Sequence, residues 1–193
     1  MSCARKARCE TRSASFNFTD LDETGRLHYF YHSPSSDLPI RDVLGEQGKG
    51  RKTEPHLERR AENYCCLCWQ PNIVSFLKSN QKYLFLFTKC ARKGSEHEGG
   101  RCIVGYICKE KCVDRGSFWA VTGETKVYSF DNAFPLSEVS LARNARHVQR
   151  VLTTSQTARV LESFRGKRSI LAACLRQLSD LKAKAADRRR KCG

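Results

Sequence analysis

The sequence predicts a mixed α+β fold, on two observations. Continuous runs of aromatic and aliphatic residues occupy its middle, and apolar residues at helical spacing take over near its end. With 193 residues, 40% of them apolar and including ten Phe, six Tyr and two Trp, the chain can bury a core of ordinary domain size. A disordered chain is excluded by that composition, and the longest apolar run, Tyr83 to Thr88, is far short of the ~18 residues a membrane span needs.

Residues 1–26 are polar and read as a basic, poorly ordered tail. They hold no signal-peptide apolar stretch, although Arg5, Lys6, Arg8 and Arg12 leave an organelle-targeting reading open. The first strand is expected at Leu27 to His32, stopped by Ser33-Pro34-Ser35-Ser36. Leu38, Val43 and Leu44 then suit a short helix ended by Gly45. Residues 45–62 hold one large apolar residue, Leu57, and read as a loop or insertion.

From Asn63 the chain turns apolar, through Cys65, Cys66, Leu67, Cys68 and Trp69 to a Pro71 turn. Ile73, Val74, Phe76 and Leu77 then fit a two-turn helix. Tyr83-Leu84-Phe85-Leu86-Phe87-Thr88 reads as a central strand buried on both sides, and Arg101 to Cys108 as its hairpin partner. Phe118 to Val121 and Lys126 to Phe130 give two more strands, with Gly123 between them. After Pro135 the pattern becomes helical. Ser155 would cap a helix bearing Val160, Leu161 and Phe164, Gly166 interrupts it, and Leu171, Cys174, Leu175, Leu178 and Leu181 mark a final helix. The residues beyond it, to Lys191, read as a frayed basic tail.

Charge points to a class of partner. The chain carries 35 Lys+Arg against 20 Asp+Glu, a formal net charge of +15. Residues 137–193 hold 14 of those cations and four of the acids, so most of the excess is C-terminal. Such a distribution suits a polyanion, RNA or DNA, because each neutralised phosphate releases counterions.

The order of elements resembles a PUA-like β-barrel of the EVE and YTH group. His28-Tyr29-Phe30-Tyr31-His32-Ser33-Pro34 with Leu38-Pro39-Ile40-Arg41-Asp42-Val43-Leu44 is similar to the opening strand, Pro turn and short helix of EVE domains. Tyr83 to Thr88 answered by Ile103-Val104-Gly105 is similar to their paired strands. Phe134-Pro135-Leu136 through Arg146-His147-Val148 and Leu152-Thr153-Thr154-Ser155 resembles the stretch from a Pro-Leu turn to a capping helix. The resemblance covers about residues 27–165, leaving 166–193 as an added C-terminal helix and basic tail. It implies a mixed barrel with flanking helices and a non-catalytic reader, which holds a modified or unpaired base in an aromatic pocket and phosphates on a basic rim. On the matching segments the pocket candidates are Ser33, Tyr64, Trp69, Phe87 and Trp119, with Arg143, Arg146, His147 and Arg150 on phosphates. Phe87 and Trp119 also have a plain reading as core.

Eleven cysteines in a chain without a recognisable signal peptide point to a reducing, intracellular setting, cytoplasmic or nuclear. Cys65-x-x-Cys68 and Cys108-x-x-x-Cys112 have spacings compatible with a structural zinc, and Cys90 with Cys102 would form a third pair at the hairpin's open end. Free buried thiols are the competing reading. No nucleophile motif, P-loop or paired carboxylates mark an enzyme. The alternatives to a reader are therefore a structural RNA-binding subunit of a large ribonucleoprotein and, further off, a zinc- or thiol-dependent enzyme acting on nucleic acid.

Overall fold

A computed structural model describes residues 15–17, 20–30, 37–39, 56–60, 63–68, 76, 78–114, 119–139 and 150–191. Its centre is the expected hairpin. Strand β5 (Gln81–Lys89) pairs antiparallel with β6 (Arg101–Cys108), and both are buried over most of their length, as their unbroken apolar sequence requires. Strand β2 (Asp22–Tyr29) lies on the other side of β5 and parallel to it, with Leu27 opposite Phe85 and Tyr29 opposite Phe87. Next to β2 runs β11 (Arg150–Leu152), antiparallel, and the outer edge of β6 carries both β9 (Thr125–Val127) and β10 (Phe134–Pro135). The result is a six-stranded mixed sheet in an α+β chain. Among the described residues it is open, with β10 and β11 at the ends of its strand order.

A second sheet has five antiparallel strands in the order β1 (Ser15–Asn17), β7 (Lys111–Asp114), β8 (Trp119–Gly123), β4 (Asn63–Cys68), β3 (His56–Arg60). The chain crosses between the sheets twice within a few residues, where Cys108 N–H donates to the Glu124 carbonyl at 2.8 Å. At that crossing Gly123 is obligatory, since a Cβ there would stand 1.6 Å from the Cys108 carbonyl oxygen. Gly105 serves the same end on β6: its Cβ would fall 2.2 Å from the Lys126 carbonyl, so β9 pairs there only because the side chain is missing.

Two helices follow. Helix α1 (Thr154–Ser163) is capped by Thr153, whose hydroxyl accepts from the Gln156 N–H while the Gln156 side chain accepts from the Thr153 N–H. This reciprocal pair places the cap two residues before Ser155. Val160 and Phe164 are buried against Leu27, Phe85, Tyr106, Tyr128 and Leu152, each side chain contributing roughly 1.5–3 kcal/mol. The opposite face of the sheet packs Phe30, Leu86, Cys90, Cys102, Val104, Phe130 and Ala133. Helix α2 (Leu171–Lys191) starts beside β9: the Ile170 N–H donates to the Val127 carbonyl at 2.7 Å, the Ser169 hydroxyl donates to the same oxygen, and Leu171 and Cys174 pack on Val127. No described helix is long and apolar enough to cross a membrane.

Four expectations change. β2 begins at Asp22, five residues before the expected start, and β1 lies further upstream within the stretch read as a tail. The first residues of β2 are exposed, so the strand starts there without apolar residues to announce it. Residues 56–60 of the presumed loop are strand β3. It is the outermost strand of its sheet, where backbone pairing holds charged residues that a central strand would reject. Asn63–Cys68, read as the approach to a helix, is strand β4. The basic run to Lys191 is helical, not frayed, because its Ala, Lys and Arg are strong helix formers. Of the two short helices expected near 38–44 and 73–77, the described residues include only a bend at 37–39 and the buried, helical Phe76.

Candidate nucleic-acid interface

The two ends of the mixed sheet differ in charge. At the end where β5 begins and β6 finishes, two cations are matched: Lys82 pairs with Glu23 across the β2–β5 ladder, and Lys126 with Glu124 at 3.0 Å. Tyr83 and the half-buried Cys108 lie there too, their pKa values raised chiefly by burial.

The opposite end is unbalanced. Lys89 closes β5 and Arg101 opens β6, and the ladder sets them directly across from one another. Both are exposed, and among the described residues neither forms an ion pair. Of the acids in the loop between them, Glu98 accepts from the Gly94 N–H at 2.8 Å and Glu96 lies 3.2 Å from the His97 imidazole, while outside the loop Asp131 takes Arg92 at 2.6 Å. Like charges facing across a strand pair cost stability, and here they stand uncompensated.

Aromatic residues flank this pair. The β2 terminus is clamped to β5 by Phe30 N–H donating to the Phe87 carbonyl at 3.0 Å and the Thr88 hydroxyl donating to the Phe30 carbonyl at 2.7 Å. That clamp holds Tyr29, half-buried, with its ring 5.2 Å from that of Phe87 and 5.7 Å from the Arg101 guanidinium carbon. The guanidinium is thereby positioned on an aromatic face.

Of the expected pocket residues, Phe87 is 5% exposed and packs in the core, its plain reading; it offers no face to a base. Trp119 and Tyr64 both lie in the second sheet, on β8 and β4, where Trp119 is in register with Cys68 and Tyr64 with Gly123. Arg150 opens β11 opposite Leu27. Ser33, Trp69, Arg143, Arg146 and His147 lie outside the described residues.

The four cysteines expected as metal ligands fall in three strands. Cys65 and Cys68 both lie in strand β4, in register with Thr122 and Trp119 of β8. Cys108 ends β6 in one sheet and Cys112 belongs to β7 in the other. At the hairpin's open end Cys102 is in register with Thr88, while the Cys90 N–H donates to the Gly100 carbonyl, so the two thiols are diagonal neighbours in one cluster. Both are free, and burial pushes the Cys102 thiol up to about 12. Among the described residues no group of three or more His, Cys, Asp or Glu is placed to hold a metal.

A chain of rings that includes none of the expected pocket residues lies beneath α1. Tyr83 meets Tyr106 edge-on at 5.9 Å, Tyr106 lies 6.4 Å from Phe164, and Phe164 stacks parallel on Tyr128 at 4.2 Å. Tyr128 is buried and its phenol is pushed up to about 12, chiefly by desolvation. These rings are packing, and the alternation of aromatics at 83, 85 and 87 is the signal for it. The chain was also compared with protein-family models, curated proteins and solved structures, and none matches.

Proposed function

We propose that this protein is a non-catalytic nucleic-acid-binding protein of the PUA-like, EVE/YTH type, its mixed sheet belonging to a barrel and its C-terminal helix gripping the phosphate backbone. The observation that carries the reading is α2. Its 21 residues hold seven Lys+Arg against two Asp, and its first turn is fixed to β9, so a cationic helix is anchored to the mixed sheet. Arg176, Ala183 and Arg190 are exposed along it. A helix pays its ordering cost on folding, so cations on it meet a polyanion with less entropy to lose than a coil would.

Base recognition in an aromatic pocket belongs to the same reading and rests on residues of the resemblance. A second reading, a structural RNA-binding subunit of a ribonucleoprotein, is favoured by one observation: the burial of Phe87, which removes one expected stacking surface. Fluorescence anisotropy with labelled single-stranded RNA and DNA, carrying unmodified or modified bases, tests both. A reader prefers one base state by tenfold or more; a structural subunit binds all alike.

A further inference from the structure

Lys89 and Arg101 are like charges held face to face, and their mutual repulsion costs the free protein stability. They face each other across the β5–β6 ladder, both exposed and, among the described residues, without an ion pair. Local rules are most often broken where function compensates. Tyr29 adds a second, independent feature: its ring holds the Arg101 guanidinium at 5.7 Å, which removes part of the rotamer freedom that an exposed arginine otherwise loses on binding. Facing residues in a ladder have Cβ atoms roughly 5 Å apart, so a lysine and an arginine there can close on one phosphate from two sides.

We infer that Lys89 and Arg101 form a phosphate site that takes one backbone phosphate of a single-stranded nucleic acid, with Tyr29 as a positioning residue for Arg101. This inference rests on the nucleic-acid reading and names the sheet end where the strand lies. It also makes a statement about the free protein: neutralising one member relieves the repulsion and leaves the fold at least as stable.

The test is anisotropy of labelled 12-nucleotide RNA and DNA, from 50 to 300 mM KCl, on the full chain and on Lys89→Gln, Arg101→Gln, the double variant and Tyr29→Leu. Two cations sharing one phosphate act as a unit. Each single variant is expected to lose about as much affinity as the double, 5–20-fold, and to lower the slope of log K on log salt by about 0.7. Tyr29→Leu is expected to weaken wild-type binding, yet to have no further effect once Arg101 is Gln. Thermal melting of Lys89→Gln at or above wild type excludes misfolding. If the wild type binds neither strand, the nucleic-acid reading falls and this site with it. If it binds with steep salt dependence while both single variants keep wild-type affinity and slope, the site alone is refuted. RNA and DNA arms of equal strength fit a phosphate contact, and an effect of Arg101→Gln restricted to one sugar type overturns it.

Discussion

His28 sets the acid limit of this fold. It lies within β2 at 1% exposure, and burial alone depresses its pKa from the ordinary 6.5 to about 4. A depressed histidine pKa means that the unfolded chain takes up a proton which the native state refuses. The stability it contributes is therefore complete above pH 6.5 and is lost as the pH falls from 6.5 toward 4. At ~1.4 kcal/mol per pKa unit the whole window is worth about 3 kcal/mol, of which about 2 kcal/mol falls between pH 7 and pH 5. Full burial means that no discount for solvent screening applies. The assay is urea unfolding at pH 7, 6 and 5 for the wild type and His28→Leu, which keeps a side chain of similar bulk but cannot titrate. Carboxylates that titrate over the same range are common to both proteins and cancel in the difference. The wild type should lose about 2 kcal/mol more than the variant between pH 7 and pH 5. Equal losses, or an NMR titration of His28 near 6.5, would refute the reasoning.

Three further outcomes follow from the packing. Gly123→Ala places a methyl against the Cys108 carbonyl at the sheet crossing and should cost more than about 3 kcal/mol, read as a collapse of the urea midpoint. Lys109 is buried, its ammonium donating to the carbonyls of Phe76 at 3.1 Å and Ser79 at 2.6 Å and lying 4.6 Å from the Phe76 ring; Lys109→Met strands both acceptors and should cost about 1–3 kcal/mol in thermal or urea unfolding. Cys90, Cys102 and Cys174 are fully buried, the latter two thiols pushed up to about 12, so timed alkylation with mass spectrometry should label Cys108 well before any of them in the native protein.

Much of the mixed sheet was legible because its strands are written in the strongest available code. Tyr83 to Thr88 and Arg101 to Cys108 are apolar on both faces, and only a central hairpin answers to that. Val160 and Phe164 were legible for the complementary reason, that helical spacing shows which face of α1 is buried. The second sheet was not. His56–Arg60 is an edge strand with one large apolar residue, and Lys111–Asp114 is four residues long; in both, backbone pairing with a neighbour decides the structure and leaves no side-chain pattern. The same limit applies to Asn63–Cys68, whose strand is set by pairing with β8 and not by its side-chain pattern. Phe87 was read both as pocket and as core, and its burial with Leu27, Ile103 and Phe134 places it in the core. The Lys89–Arg101 pair escaped notice altogether, since twelve positions separate two residues that only the ladder makes neighbours.

The central claim is that a cationic helix on a packed domain grips a polyanion. Its most direct test is the salt dependence of oligonucleotide binding by the wild type and by a variant with Arg188, Arg189 and Arg190 all changed to Gln. With about four phosphates neutralised on a single strand, wild-type affinity should fall ~50-fold between 50 and 200 mM KCl, and the variant should lose about two units of that log–log slope while melting like the wild type. Binding that is absent, or that keeps its full slope without those three arginines, would contradict the account.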